Sequence, residues 1–155
     1  MKKILLTLIC VLCVVGCTSV DKGIYKEGTY FGSKEYESYG NKFVVTAVLT
    51  VDTNGKIASC FVDSTYTKDS VNTTKKTLGD AYGMKETSKN IGVIPGGAEW
   101  YEQVKVIEDK VVAEQNLDWV KWNTTDATKL DAVSGVTISA TDYIAAIQSA
   151  LEQAK

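Results

Sequence analysis

The 155-residue chain contains no histidine and no arginine, and it has one proline and four cysteines. Without histidine there is no imidazole for a catalytic triad or a metal site, and without arginine no guanidinium can clamp a phosphate. All 17 basic residues are lysines, set against 19 acidic residues. An acidic chain without a basic stripe is not expected to bind nucleic acid. Any side-chain cation near a bound phosphate must therefore be a lysine, and the sequence does not single one out.

The first 16 residues have the pattern of a targeting segment. Lys2 and Lys3 precede an uncharged apolar run, residues 4–16, which is too short to span a bilayer comfortably. The run ends in "VVGC", which resembles the lipobox of bacterial lipoproteins. We therefore expect residues 1–16 to be a lipoprotein signal peptide and Cys17 to carry a diacylglycerol with palmitate-type chains. An ordinary secretory signal that ends near a cysteine is the alternative.

Removal of the signal would change the count of usable cysteines. Cys10 and Cys13 form a C-x-x-C inside the apolar signal core, and Cys17 is the expected lipid attachment site. Only Cys60 would remain in the domain, so no intramolecular disulfide is expected there. It lies in a strand-like run, where a buried and inert thiol is the simplest interpretation.

The N-terminal half of the domain has the alternating pattern of β-strands. Residues 17–28 are mostly polar and predict a lipidated tether, which leaves 29–155 as the domain. A short strand and a loop are expected in residues 29–40, and a long strand follows in residues 42–52. Asn54-Gly55 is a strong hairpin signal, after which residues 57–66 return as the partner strand. One face of the long strand carries Phe43, Val45, Ala47, Leu49 and Val51.

Helical patterns follow the strands. Residues 69–84 predict a helix with Ser70 as its cap and Gly83 as its stop, and residues 88–97 predict a loop. Residues 98–115 predict a helix, although their valines leave a strand open, and residues 140–155 predict an amphipathic helix. Strands followed by helices indicate an α+β fold, with a small antiparallel meander and a C-terminal helix. The predicted helical stripes are Trp100, Val104, Ile107 and Val111, then Tyr143, Ile147, Ala150 and Ala154.

The stretch "DAVSGVTIS", residues 131–139, leads directly into the last helix. Ser139 is expected to cap that helix, and Asp142 completes a spacing like that of a capping box. The free N–H groups of the first helical turn would favour an anion on the hydroxyl of Thr137. Gly135 allows a sharp turn or a close approach. The pattern therefore indicates a phosphate site, with a capped helix after a glycine turn as the alternative.

The same stretch resembles the flavinylation motif of the FMN-binding domain family, which reads Asp, two residues, Ser or Thr, Gly, Ala, Thr. Asp131, Ser134, Gly135 and Thr137 match it, whereas Val136 replaces the alanine. A β-branched side chain there would crowd the turn that the modifying enzyme must recognise. The segments "GTYFGSKEYESYGNKFVVTAVLTVDTNGKIASCFVDSTY", "LGDAYGMKETS" and "GGAEWYEQ" also resemble that domain, and the last two resemble flavinylated lipoproteins of Gram-positive bacteria.

The resemblance implies covalently bound FMN, attached through a phosphoester to Thr137 by a separate flavin transferase that uses FAD and magnesium. It implies that Ser134 and Ser139 donate hydrogen bonds to the phosphate, together with backbone N–H groups from Gly135 onward, Val136 included. The role of Asp131 stays open, since it could orient the threonine hydroxyl, help the transferase hold its metal or brace the loop.

A flavin ring also needs a flat and largely apolar wall. Met84 is the expected ring contact, and Trp100 is expected to belong to the core, with ordinary packing as the alternative for every candidate. The candidate ring contacts are Tyr82, Met84, Trp100, Tyr101, Trp119 and Trp122.

The function implied by the resemblance is that of a membrane-anchored flavoprotein carrying electrons outside the cytoplasm. A carrier is favoured over a substrate-specific reductase, because no convergent set of acids, bases and cations is visible. The implied partners are the flavin transferase, membrane redox proteins or quinone-linked donors of extracellular electron transfer, and the bilayer through Cys17. The implied location is the outer face of a bacterial cell membrane, with Gram-positive bacteria favoured. The alternative, favoured by Val136, is a surface lipoprotein of the same fold that binds no flavin and acts as an interaction module.

Overall fold

The computed structural model describes residues 22–131 and 133–155. Residues 1–21 and Ala132 lie outside the described residues, and with them the predicted signal peptide and Cys17. Within the described ranges, no helix is both long and apolar enough to cross a membrane. A four-stranded antiparallel sheet on the N-terminal side is followed by helices, which is the α+β fold that the sequence predicts.

The sheet is a meander in which each strand pairs with the next one along the chain. It consists of β1 (Gly28–Ser38), β2 (Asn41–Val51), β3 (Ile57–Lys68) and β4 (Val71–Thr74), in the spatial order β1-β2-β3-β4. β1 spans 11 residues, so the expectation of a short first strand was wrong. The predicted face of β2 is confirmed, because Val45, Ala47 and Leu49 are fully buried and Val51 nearly so.

The turn between β2 and β3 forms where the Asn54-Gly55 pair predicts a hairpin. The Asp52 carboxylate accepts hydrogen bonds from the backbone N–H groups of Asn54 and Lys56, both at 2.9 Å. Gly55 has a φ of +76°, and a side chain there would collide with backbone oxygens. The turn chemistry and the burial of β2 therefore fix the same register.

The segment predicted as a helix over residues 69–84 begins instead with a tight turn and a strand. Asp69 and Ser70 both have positive φ values and reverse the chain into β4, so the prediction of Ser70 as a helix cap was wrong. Thr74 is the cap, because its hydroxyl accepts from the backbone N–H of Thr77. Helix α1 (Lys75–Leu78) then passes into a 3₁₀ turn (Gly79–Tyr82), which ends at Gly83.

Two further helices precede the motif stretch. Helix α2 (Lys85–Ile91) occupies part of the segment predicted as a loop and ends at Gly92, which has a φ of +77°. Helix α3 (Trp100–Glu114) excludes the strand alternative, and its predicted apolar stripe is buried. A reciprocal capping box between Glu99 and Glu102 starts it.

Helix α4 (Thr141–Gln153) packs against β1 and β2, and its predicted stripe is buried. A Cβ on Gly32 of β1 would lie 2.0 Å from the carbonyl oxygen of Ala146, so only glycine allows this close approach. The N-cap of α4 is Ala140, whose side chain makes no capping bond, so the prediction that Ser139 caps the helix was wrong.

Residues 23–26, which the sequence assigns to the tether, are held against the domain. The Gly23 N–H donates to the carbonyl oxygen of Asn54 at 2.8 Å, and the Lys26 N–H donates to that of Ala154 at 2.7 Å. Tyr25 is buried, and its hydroxyl donates to the carbonyl oxygen of Gln115 at 2.9 Å. The folded domain therefore includes these residues.

Candidate functional site

A cleft of about 720 Å³ opens beside the start of α4. Its lining comes from the hairpin of β1 and β2, the end of β3, α1, the 3₁₀ turn, the start of α3 and the segment that leads into α4. Polar side chains make up much of its lining, together with seven aromatic residues: Tyr36, Tyr39, Phe43, Tyr66, Tyr82, Trp100 and Tyr143.

On the sheet side of the cleft, four aromatic rings follow one another in contact. Tyr36 and Phe43 are cross-strand partners in β1 and β2, and their rings stack with centroids 5.2 Å apart. Phe43 also stacks with Tyr66 of β3 at 6.1 Å, and Tyr66 meets the edge of Tyr82 at 5.1 Å. Such arrays of rings present a flat apolar surface, which suits a planar ligand.

Lys75, the first residue of α1, lies among these rings. Its side chain is buried, and its Nζ lies 5.1 Å from the ring centre of Trp100 and 5.3 Å from that of Tyr82. The rings of Tyr36 and Tyr143 follow at 5.9 Å each. Four aromatic faces therefore surround one ammonium group, an arrangement that stabilises a cation through the negative faces of the rings.

Burial in this cluster favours the neutral forms of its titratable side chains. Burial lowers the pKa of the Lys75 ammonium to about 8, and the more distant Asp63 carboxylate only partly opposes this shift. Burial also raises the pKa of Tyr82 to about 12 and raises the pKa of Tyr143. The Tyr143 hydroxyl accepts from the indole N–H of Trp100 at 3.0 Å and from the Nζ of Lys75 at 3.3 Å. The lysine thus contacts one phenol oxygen, that of Tyr143, which carries no charge at neutral pH.

Thr137 is fixed by Gln103, a fully buried residue of α3. The Oε1 atom of Gln103 accepts from the backbone N–H of Thr137 at 2.8 Å and from its hydroxyl at 3.1 Å. The Nε2 atom donates to the carbonyl oxygen of Ala98 at 3.3 Å and contacts the Met84 sulfur at 3.6 Å. One side chain therefore joins the motif loop to a methionine that lines the cleft.

Glu99 holds the Met84 segment in place. Its buried carboxylate accepts from the backbone N–H groups of Met84 at 2.8 Å and Lys85 at 3.0 Å, in addition to its role in the capping box of α3. A carboxylate with several backbone donors is well satisfied in a buried position. The start of α2 is thereby anchored to the start of α3.

The segment between the motif and α4 supplies polar groups to the cleft. The Ser139 and Thr128 hydroxyls lie 3.0 Å apart and both residues line it, as do Thr141 and Asp142 in the first turn of α4. The N-cap residue Ala140 makes no side-chain capping bond, so it supplies no side-chain acceptor to the first N–H groups of α4. Asp142 adds negative charge beside them, while Lys42 and Lys75 are the lysines in the lining.

The predicted motif residues have different positions relative to the cleft. Ser139 lines the cleft, as does Ile138, whereas Thr137 is not among the lining residues and is joined through Gln103 to Met84, which is. Asp131 and Ser134 are exposed, and the backbone N–H of Asp131 donates to the carbonyl oxygen of Lys121 at 2.7 Å. The Thr137 hydroxyl is oriented by Gln103 in this structure rather than by Asp131.

Gly135 has a special backbone conformation, and Val136 lies in the hydrophobic core. Gly135 has a φ of +86°, so the turn needs a residue that tolerates the left-handed region. Val136 is buried in the hydrophobic core, and its N–H donates to the carbonyl oxygen of Val133 at 3.3 Å. Neither residue belongs to the cleft lining.

The predicted ring contacts also separate. Tyr82, Met84 and Trp100 line the cleft, and Trp100 is at the same time almost fully buried, as expected of a core residue. Tyr101, Trp119 and Trp122 do not line it. The Tyr101 hydroxyl donates to Asp80 at 3.0 Å, and the Trp119 indole donates to a backbone oxygen at 2.8 Å.

Two residues of the site were missed at the sequence level. Gln103 stands three positions after Trp100, so it is a polar residue on the apolar stripe of α3, and that mismatch was an available signal. Lys75 lies in a lysine pair, "KK", within a polar segment. Its burial depends on rings from four distant segments, so no local pattern identifies it.

The remaining cysteine is not part of the cleft. Cys60 is half-buried on β3, and burial raises the pKa of its thiol to about 12, with the Glu108 carboxylate adding to the shift. Because the thiolate is the reactive form, this raised pKa disfavours reaction at neutral pH, although the thiol is half-buried rather than buried as the sequence suggests. Among the described residues, no group of three or more Cys, Asp or Glu side chains could hold a metal ion.

Comparison with known proteins places the chain in a family of α+β domains. No protein-family model matches the chain, and no curated protein matches it. It is similar to a Clostridium thermocellum protein whose solution structure was determined by NMR as a structural-genomics target. The two share 33% sequence identity over 83% of this chain and 91% of that chain, with a TM-score of 0.51. The chain therefore belongs to the same family as that Clostridium thermocellum protein, whose description names no ligand or activity.

Proposed function

We propose that this protein carries electrons through an FMN joined by a phosphoester to Thr137. The observation that carries the proposal is the hydrogen bond from the Thr137 hydroxyl to Gln103, whose amide also contacts Met84 in the cleft lining, where Ile138 and Ser139 of the same stretch lie. A phosphate attached at that hydroxyl would lie beside the residues that open into the cleft. The motif resemblance supplies the identity of the group, and the cleft supplies a space that suits it.

The residues that line the cleft fit the chemistry of FMN. The volume of the cleft lies within the roughly 300–1,000 Å³ range of pockets that take ligands of this size. The aromatic walls and the Met84 thioether suit the ring, whereas Ser139, Thr128 and the uncapped start of α4 suit the phosphate end. Asp142 is the group that opposes a phosphate there, and Lys42 and Lys75 offset it.

In this proposal the chain binds and positions a cofactor that performs the redox chemistry. When bound, FMN supplies a ring that accepts and releases one or two electrons. Thr137 would hold the phosphate, while Tyr82 and Met84 would contact the ring and exclude water from its face, with the buried Trp100 behind them. A carrier is favoured over a reductase, because most titratable groups in the lining are phenols, and those of Tyr36, Tyr82 and Tyr143 have raised pKa values.

The proposed cellular setting rests on the N-terminal sequence. Residues 1–16 would direct export, and a diacylglycerol on Cys17 would hold the carrier on the outer face of the cell membrane of a Gram-positive bacterium. A flavin transferase that uses FAD and magnesium would load it. Membrane redox proteins or quinone-linked donors would then reduce it. Covalent attachment suits this location, since a dissociated flavin would be lost from the cell.

The alternative is a lipoprotein of the same fold without flavin, and Val136 is the residue that favours it. The Val136 side chain packs in the core, whereas Asp131 and Ser134 are exposed. The valine therefore has little contact with a transferase that approaches the loop from solvent. Its burial therefore removes the main objection to flavinylation that the sequence raises.

Co-expression of residues 18–155 with a flavin transferase tests the proposal. We expect an intact mass increased by one FMN group and a visible flavin spectrum. Thr137→Val keeps the shape of the side chain and its backbone bond to Gln103, and it should abolish the adduct. Thr125→Ala changes an exposed threonine outside the cleft and should leave the adduct in place. An unmodified wild-type protein would instead favour the flavin-free lipoprotein.

A further inference from the structure

Lys75 is a buried charge whose near partners in the described part of the chain carry no negative charge. No described carboxylate lies within 4.0 Å of its Nζ, and its hydrogen-bond partner is the Tyr143 hydroxyl. Lys76, the next residue, shows the ordinary solution, since it forms an ion pair with the Glu108 carboxylate. A buried ammonium without such a partner costs stability. The aromatic faces around the ammonium offset only part of this cost, since burial still lowers the pKa of Lys75.

The position of Lys75 in the cleft lining indicates where a negatively charged partner would lie. Lys75 lines the cleft together with the rings that surround it, so an occupant of the cleft would meet the ammonium inside a low-dielectric pocket. The other charged residues of the lining are Glu37 and Lys42, which are exposed, and Asp142, which is half-buried. Lys75 is therefore the least screened cation available to a ligand.

We propose, on the basis of the proposed FMN site, that the Lys75 ammonium pairs with the negative charge of the reduced FMN ring and raises its reduction potential. Addition of two electrons and one proton to the neutral oxidised ring leaves one negative charge on the reduced ring. A fixed cation nearby stabilises that charged form more than the neutral one. The electrons come from an external donor and the proton from solvent, so Lys75 keeps its own proton.

The surrounding groups are consistent with this role. The phenols of Tyr36, Tyr82 and Tyr143 have pKa values raised by burial, so none of them competes as an anion. The aromatic faces hold the lysine while the ring is oxidised. An anionic ring would in turn restore the pKa of Lys75 towards its ordinary value, since an opposite charge offsets the cost of burial.

A redox titration of the FMN-loaded protein with dithionite tests the inference. We expect the midpoint potential of Lys75→Met to be more negative than that of the wild type. Lys42→Met removes the same charge from the exposed rim of the same cleft, so its shift should be clearly smaller. Lys75→Arg keeps the charge and should keep the potential near the wild-type value. The reduced ring should also bind a proton at higher pH in Lys75→Met, which absorption spectra of the reduced state report.

Intact mass separates the failure of this inference from the failure of the FMN proposal. A wild type that carries no FMN overturns both. Loaded wild type and loaded Lys75→Met with the same potential, or equal shifts in Lys75→Met and Lys42→Met, overturn only the role of Lys75. Lys75→Gln is carried through the same titration, so that the result does not depend on one variant folding.

Discussion

Replacement of Lys75 by methionine should change how the stability of the protein depends on pH. The lysine is buried, and its pKa falls from the ordinary 10.5 to about 8. A folded-state pKa below the unfolded one means that the unfolded chain binds more protons between these two values. The free energy of unfolding contributed by Lys75 therefore rises with pH through that window.

The magnitude follows from the size of the shift. One pKa unit corresponds to about 1.4 kcal/mol, so the protonated lysine costs the folded state at most ~3 kcal/mol at neutral pH. Between about pH 7 and about pH 10, roughly 2 kcal/mol of that cost should disappear, because the lysine loses its proton in the folded state. Lys75→Met has no proton to lose, and it should be at least as stable as the wild type at neutral pH, with the lost aromatic contacts limiting the gain.

The assay is urea denaturation of the flavin-free domain at both pH values. The quantity to compare is the difference in the free energy of unfolding between the wild type and Lys75→Met. Cys60 and the buried tyrosines have raised pKa values and lower the stability of both proteins as the pH rises, so their contributions cancel in this difference. We expect the difference to move in favour of the wild type by about 2 kcal/mol. A difference that is the same at both pH values would refute the reasoning.

Three further predictions concern the supports of the site and the fold. Gln103→Leu should lower the free energy of unfolding by about 1–3 kcal/mol and reduce the yield of FMN adduct, because the N–H of Thr137 loses its acceptor. Urea denaturation measures the first effect and intact mass the second, and an unchanged yield would contradict the positioning role of Gln103. Gly32→Ala should cost more than about 2 kcal/mol, since its Cβ would lie 2.0 Å from a backbone oxygen of α4. Gly40 has open space around it but a φ of +73°, so Gly40→Ala should lower the free energy of unfolding by only about 1 kcal/mol. Equal losses in the two variants would argue against the close approach of Gly32 to α4. Cys60 should react with maleimide at neutral pH at least about tenfold more slowly in the folded than in the urea-unfolded protein, because burial raises its pKa and only part of the lost thiolate is offset by its higher nucleophilicity. Similar rates would show an accessible thiolate.

The sheet core and the last helix were predictable because local patterns and tertiary packing agree there. β2 alternates between buried and half-exposed residues with period two, and the Asn54-Gly55 turn fits the same hairpin. Helix α4 has an apolar stripe that matches its buried face. Each signal lies within a few residues of the feature it predicts.

The segment from Asp69 to Thr74 was mispredicted because its decisive feature is conformational. Asp69 and Ser70 adopt positive φ values that most side chains avoid, and the sequence pattern alone favours a helix with Ser70 as its cap. The true turn instead lets β4 pair with β3, which moves the start of the helix to Lys75. Tertiary pairing has overridden the local preference.

In the candidate site, features carried by one short segment were likewise easier to predict than features formed by residues from distant segments. Thr137 is singled out by a motif of seven residues, whereas the aromatic cluster around Lys75 combines β1, the 3₁₀ turn, α3 and α4. Sequence spacing does not report such a convergence of distant elements. Gln103 lies between these cases, since a glutamine within an apolar stripe indicates a buried polar contact without identifying its partner.

Peptide mass mapping of the co-expressed protein tests the central claim most directly. After proteolysis, the peptide that contains residues 131–139 should carry the mass of one FMN group, and fragmentation should place it on Thr137. The peptide should be unmodified when the transferase is left out. A flavin-free peptide from the co-expressed protein, or an FMN group on Ser134 or Ser139, would contradict the assignment of Thr137 as the attachment site.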